Sequence, residues 1–386
     1  MNNPEAQRCL LCKKPFCSLK GCPVKTDVPA AMALYREGKL GEAGDLLFRN
    51  NPFSAVTSLV CDWKKFCYGN CVLGIKGVPV RWYEIEQEIS GKYLFEAHPY
   101  TLDDALSGKS VAVVGAGPAG ITAALLLRAH GASVTVFDAN PRVGGVLRYG
   151  IPEFRLDRAL VDQYERLLGE SGAVFKGGVE MGKEITVSEL SKEYEWVIVA
   201  AGAEKPVTLG IPGEDSPSVI QALGYLKAPE SCRVGHKVIV IGGGNVAMDA
   251  CRTAARRGHD TWVFYRKTFV NMPANPLEVE EAKADGVRFK VFQAPVEVGD
   301  GYVVFRDCEN VTDPETGRLV TRIIPGTDHK VSCDTLITAI SEKPCSELVD
   351  GAADNVLLAG DFLYGPRTVV EAVVSAKETV QRILGV

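Results

Sequence analysis

The sequence predicts an α/β protein: an N-terminal α-helical domain followed by two layered sheet-and-helix domains, the second inserted in the first. Three observations carry that reading. Seven of the twelve cysteines fall within the first 71 of 386 residues. Two stretches, beginning at residues 110 and 236, each run from an apolar strand through a Gly-rich turn into a helix and on to a second strand. A further apolar strand, "NVLLAGD" from residue 355, returns after the second stretch, so the first sheet closes around an insertion.

Composition bounds the rest. With 46% hydrophobic and 24% charged residues the chain is long enough to bury two or three cores. A net charge of −5 argues against nucleic acid and anionic membrane as partners, since both select basic surfaces. The start "MNNPEAQRCLLCKK" has no apolar leader core, and no run approaches the ~18 apolar residues of a membrane span. A cytoplasmic location is expected, where thiols stay reduced, so the N-terminal cysteines are not expected to pair as disulfides.

Those cysteines come first in the chain. "CLLCKKPFCSLKGC" places Cys9, Cys12, Cys17 and Cys22 with gaps of two, four and four residues, and Cys61, Cys67 and Cys71 follow. All five histidines lie beyond residue 97, which deprives a mixed Cys/His zinc site of nitrogen ligands. An all-cysteine zinc site normally shows two C-x2-C knuckles, and only Cys9/Cys12 has that form. A compact run ending in Cys22-Pro23 fits iron-sulfur ligation better. Seven thiols leave two cubanes one ligand short, and Glu86 or Gln87 is the nearest downstream candidate.

Between the cysteine groups, "TDVPAAMALYREGKLGEAGDLLFRNNP" predicts two short helices. Thr26 or Asp27 can cap, Pro29 suits the first turn, and Gly38 and Gly41 interrupt.

The first Gly-rich turn is Gly115-x-Gly117-x-x-Gly120, with Pro118 and Ala119 inside it, and its second strand ends on Asp138, 18 residues after Gly120. The first glycine makes the turn, the second admits a pyrophosphate, the third lets helix pack on strand, and the acid can accept from a ribose hydroxyl. The second turn is Gly242-x-Gly244-x-x-Ala247, and its strand ends on Tyr265-Arg266-Lys267. Basic residues there suit a 2'-phosphate, favouring NADPH over NADH. Two dinucleotide folds point to FAD plus a nicotinamide cofactor. No cysteine pair sits where a flavin disulfide reductase would need one, which leaves the N-terminal cysteines as the electron exit.

Here the residues carry a resemblance that covers nearly the whole chain. "CPV" at 22, "PVRWYEIE" at 79, "VAVVGAGPAG" at 111, "GGVLRYGIPEFRL" at 144, "VIVAAGAEKP" at 197, "VIGGGNVAMDA" at 240, "EVEEAKADGV" at 278 and "AGDFLYGPRTVVEAV" at 359 resemble the small electron-input subunits of glutamate synthase. The same motifs resemble the N-terminal half of dihydropyrimidine dehydrogenase and the flavoprotein subunits of NADPH:ferredoxin oxidoreductases. The resemblance implies two Rossmann-like domains of disulfide-reductase type behind an iron-sulfur domain. It implies FAD held by the first turn, Asp138, Gly145, Val146, Arg155, Gly360, Asp361 and Thr368. NADPH would lie on Gly242, Gly243, Gly244, Asn245 and Val246, with Arg266 and Lys267 at the phosphate. It also implies two [4Fe-4S] clusters with crossed ligation, one on Cys9, Cys12, Cys17 and Cys71, the other on Cys22, Cys61, Cys67 and Glu86.

Three departures from the pattern stand out. The gap before Cys22 is one residue longer than usual, Ser341 replaces a common glycine near the nicotinamide, and Pro273 replaces an arginine offered to the phosphate. The expected parts are 1–107 for the clusters, 108–226 plus 333–386 for FAD, and 227–332 for NADPH. The expected function is oxidation of NADPH with electrons leaving through FAD and the clusters to a separate acceptor protein or larger catalytic subunit, hence a hetero-oligomer. No acid-base catalytic residue is nominated, because cofactors carry the chemistry; Arg148 and Arg155 are candidates to stabilise reduced flavin, Arg148 equally a simple salt bridge. The alternatives are an NADH-using subunit of a dihydropyrimidine dehydrogenase-type complex and a flavin/cluster redox sensor without turnover.

Overall fold

The computed structural model describes residues 3–317 and 319–385. Two compact units emerge, one of residues 1–148, 153–204 and 343–386, the other of 149–152 and 205–342.

The first unit begins with helices. Asp27 caps Val28–Arg36 by accepting from the Ala30 amide at 3.1 Å, with Pro29 in the first turn. Gly38, at φ 76°, breaks the chain as expected, whereas Gly41 lies inside the next helix, Leu40–Asn50, and interrupts nothing. Trp82–Glu96 packs on both through Trp82, Ile85 and Ile89, forming a core with Met32, Tyr35 and Leu47. The long gap between Cys17 and Cys22 is taken up as a π-helical turn, Cys17–Gly21, the usual consequence of one residue added to a helical segment.

The same unit holds a five-stranded parallel sheet in the order Val356–Leu358, Trp196–Val199, Ser110–Val114, Ser133–Asp138, Val174–Gly177. The helix Pro118–Ala129 is buried on nearly every side, and its sequence "PAGITAALLLRA", apolar but for Thr122 and Arg128, reflects that. Against it lies the C-terminal helix Val369–Leu384, opened by a capping box of Thr368 and Glu371. Cysteine-bearing and sheet regions are joined by buried contacts. Tyr164 stacks on Phe53 at 4.0 Å between centroids and donates its hydroxyl to the Pro52 carbonyl at 3.0 Å. Such a ring pair contributes about 0.5–1.5 kcal/mol beyond its buried area.

The second unit is a parallel sheet in the order Val219–Gln221, Thr335–Thr338, Lys237–Ile241, Asp260–Tyr265, Arg288–Val291. An antiparallel layer of Gln293–Gly299, Tyr302–Thr312, Leu319–Ile323 and His329–Ser332 accompanies it. The boundaries 227 and 332 therefore shift. Val219–Gln221 and Thr335–Thr338 pair within the second sheet, Leu336 and Ile337 lying beside Ile239 and Val240, and so 205–226 and 333–342 belong with it. No helix is long and apolar enough to cross a membrane among the described residues.

Candidate cofactor sites

The seven N-terminal cysteines and Glu86 surround two cavities in the first unit. One is lined by Cys9, Cys12, Cys17, Cys67 and Cys71. The other is lined by Cys22, Cys61, Cys67 and Glu86, with Trp63, Tyr83 and Val370. The structure thus separates Cys17 from Cys22, neighbours in sequence, onto different cavities. Cys67 and Trp82 line both. Glu86 faces the second cavity, whereas Gln87 is exposed.

Several of these donors are held in surroundings that oppose their ionised forms. Burial pushes the Cys17 thiol up to about 11. Burial, aided by the nearby Glu86 carboxyl, drives Cys61 and Cys67 well above the ordinary thiol range, and burial alone raises Glu86 to about 8. A cluster of metal cations reverses that preference, since coordination deprotonates a thiol outright. Among the described residues no three Cys, His, Asp or Glu side chains converge as a single metal ion would need. The thiols instead ring volumes, which fits a multi-atom cluster. Leu11 and Lys25, at φ 48° and 55°, put non-glycine residues in the left-handed region within these loops. Strain of this kind gathers at functional sites, and composition gave no sign of it.

The first Gly-rich turn separates two requirements. Gly115 needs φ 102°, and a Cβ there would meet the Ala200 carbonyl at 2.3 Å; on Gly120 it would meet the Gly115 carbonyl at 1.8 Å. Packing demands both glycines. Gly117 is different: its φ is −82°, open to any residue, and the nearest atom to an added Cβ is Gly145 Cα at 3.9 Å. The fold has no need of glycine there, but a pyrophosphate lying on the backbone does. Gly145 passes so close that its own Cβ would stand 2.8 Å from Gly117 Cα, and Gly360, at φ 62°, packs on Ala119. Pro118 opens the helix, Val146 is exposed beside the turn and Arg155 is half-buried. Asp138 accepts from the Ala116 amide at 2.6 Å and the Asn140 amide at 2.7 Å, so it shapes the turn whatever else it binds. Thr368 is occupied in its capping box, and the Arg367 amide donates to Asp361.

The second turn repeats the pattern. Gly242 has φ 148°, and a Cβ would meet the Ala339 carbonyl at 2.2 Å, while one on Gly243 would meet the Tyr265 ring at 2.7 Å. Gly244, at φ −92°, has only Pro273 Cγ at 4.0 Å. It too is spare room for a ligand. Asn245 Oδ1 accepts from the Asn275 amide at 2.9 Å, and Val246 is half-buried at the start of the helix. Arg266 is exposed and Lys267 half-buried after the strand. Ser341 lies at φ 128°, a conformation that favours the glycine it replaces.

Arg148 settles as the salt bridge. Its buried guanidinium meets Asp162 at 2.6 Å and donates to the Val143 carbonyl at 2.7 Å.

Residues 109–375 match the family described as pyridine nucleotide-disulphide oxidoreductase, and residues 1–96 match dihydropyrimidine dehydrogenase domain II, 4Fe-4S cluster. The chain is 34% identical over 360 residues to the glutamate synthase [NADPH] small chain of Halomonas elongata, covering 88% of this chain and 76% of that one. It is 31% identical over 416 residues to the NADP(+)-dependent formate dehydrogenase subunit beta of Moorella thermoacetica, covering 93% and 59%. In fold it is similar to FprA of Mycobacterium tuberculosis in complex with NADPH, with a TM-score of 0.63 at 19% identity, over 72% of this chain and 84% of that one.

Proposed function

This chain belongs to the pyridine nucleotide-disulphide oxidoreductase family and is an NAD(P)H oxidoreductase with an iron-sulfur region, and from that premise we propose that it is an electron-input subunit: it oxidises NADPH and delivers single electrons through two [4Fe-4S] clusters to a partner protein. When bound, the nicotinamide supplies an electron pair, the flavin divides it, and the clusters carry single electrons onward. The chain's own residues bind and orient. Gly117 and Gly244 leave backbone amides open to two pyrophosphates, each at the start of a helix whose N-terminus favours an anion. Arg266 and Lys267 would meet a 2'-phosphate, in line with the NADPH named for the similar glutamate synthase chains.

The observation that carries the reading is the spread of the eight donors over two cavities, with Cys67 on both, in the unit that also holds the FAD turn. Cys9, Cys12, Cys17 and Cys71 would hold one cluster and Cys22, Cys61, Cys67 and Glu86 the other. Val370, two residues past Thr368, lines the second cavity, which supports a cluster there as the one nearer the flavin. The first cavity is rimmed by exposed Leu10 and Phe16, and the segments 8–26 and 63–81 carry nine Lys/Arg and no Asp/Glu, an exit suited to an acidic acceptor surface. A large subunit like that of glutamate synthase is the partner the likeness favours.

Anaerobic mixing tests the reading. NADPH should bleach the flavin rapidly and sustain dye reduction, with roughly eight irons and eight sulfides per chain for two cubanes. Cys12→Ser should remove one cluster and leave FAD content unchanged; parallel loss of FAD would reject the division of sites. Slow, stoichiometric reduction without turnover would favour a redox sensor.

A further inference from the structure

The C-terminal helix Val369–Leu384 sends one side chain toward the cysteine region. Lys377 Nζ donates to the Asn50 carbonyl at 2.7 Å and to Asn50 Oδ1 at 2.9 Å. Asn50 Nδ2 donates to the Val24 carbonyl at 3.1 Å and lies 3.4 Å from Thr26 Oγ1. Thr26 Oγ1 is in turn 3.4 Å from Cys22 Sγ, and Thr26 itself is 2% exposed. Four residues from three separate segments thus form one chain of polar contacts ending on a sulfur of the second cavity.

The donor rules fix the direction of that chain. An ammonium only donates, so Asn50 must turn its oxygen toward Lys377 and its NH₂ toward Thr26. The NH₂ also only donates, so Thr26 Oγ1 accepts, and its single proton is left for its other neighbour. In the free thiol the Cys22 S–H donates to Thr26. Once Cys22 is a thiolate ligand it has no proton, and the Thr26 hydroxyl donates to the sulfur instead. Hydrogen bonds and positive charge at cluster sulfurs favour the reduced state, which carries one more electron.

We propose that Lys377, acting through Asn50 and Thr26, is a positioning residue that orients a hydrogen bond onto Cys22 Sγ and raises the reduction potential of the cluster held by Cys22, Cys61, Cys67 and Glu86. The inference rests on the cluster reading under Proposed function. It adds a role for three residues that are not ligands. It also assigns the C-terminal helix a second task, because Thr368 at its start belongs to the FAD set.

The test is an EPR-monitored redox titration of the full chain with its clusters in place. At a fixed poise near the midpoint, Thr26→Val should lower the reduced-to-oxidised ratio of one cluster about tenfold and leave the other within about twofold, the scale of one hydrogen bond to a charged group. Lys377→Met should shift the same cluster in the same direction, and Lys377→Arg, which keeps charge and donors, should restore it. In the Thr26→Val background Lys377→Met should add little, because both act through one hydroxyl. A full additional shift in that background would overturn the relay. Lys377 lies outside the ligand loops, so its variants report even where Thr26→Val loses iron. Unchanged potentials in Lys377→Met, with iron and sulfide retained, overturn the proposal. Absence of iron and sulfide from the native chain would instead reject the cluster reading itself.

Discussion

The two Gly-rich turns share a plan and differ at its third position. In the first, a Cβ on Gly120 would fall 1.8 Å from the Gly115 carbonyl; in the second, Ala247 occupies the corresponding place and is fully buried. The first helix therefore lies closer to its turn than the second does. Around the first turn, Gly145 and Gly360 add further close approaches of backbone, and Asp138 ties strand to turn through the Ala116 amide. The second turn relies less on backbone contact and ends in exposed positive charge. The difference teaches that one motif can be packed in two ways: one copy is locked by close backbone contacts, the other is held more loosely beside exposed positive charge.

The largest expected effect tests the close contacts. Gly120→Val should cost about 3 kcal/mol by overpacking and abolish FAD retention, read by flavin absorbance per chain and a urea transition. Ala247→Gly should cost only about 1 kcal/mol of helix propensity and leave nicotinamide binding within about twofold. Equal damage from the two substitutions would break the comparison. Next in size, Asp138→Ala removes a charge-assisted bond to the Ala116 amide and should cost about 2 kcal/mol, with FAD loss on gel filtration and no change in the second unit's cofactor preference.

A smaller effect tests the exposed charge. Lys267→Glu should raise the KM for NADPH about fivefold and that for NADH by less than twofold, the scale of exposed charge contacts. Equal changes would remove Lys267 from a phosphate role. The smallest effect on the fold is the sharpest diagnostic of the ligand. Gly244→Ala meets no atom nearer than 4.0 Å, so the unfolding free energy from a urea transition should stay within about 0.5 kcal/mol of native while NADPH affinity falls. An unchanged affinity would mean that no phosphate rests on Gly244.

Both turns were legible in the sequence because each is a local pattern with strong steric meaning. The proposed grouping of the cysteines came only through resemblance, since spacing alone leaves Cys17 and Cys22 looking like one site; in the structure Cys17 and Cys22 line different cavities. Spacing left Glu86 and Gln87 equal, the resemblance singled out Glu86, and the helix turns Glu86 toward the second cavity while Gln87 is exposed. The boundary at 227 was missed because the short strand Val219–Gln221 has no strand signal of its own; pairing with Thr335–Thr338, more than a hundred residues away, creates it. Thr26, Asn50 and Lys377 were invisible for the same reason, being common polar residues made meaningful by a meeting of distant segments.

The π turn at Cys17–Gly21 has a consequence for how such a chain can change. Gly21 is wedged so tightly that a Cβ would meet the Phe66 carbonyl at 2.7 Å, which anchors one end of the turn beside Cys67. The other end is held by the Ser18 and Leu19 amides, both donating to the Pro15 carbonyl. With both ends pinned, an added residue swells the coil sideways rather than pushing its ends apart. The segment acts as a slack loop in a taut harness: the extra residue is absorbed in the coil, and the anchors beside the thiols on either side stay where they are.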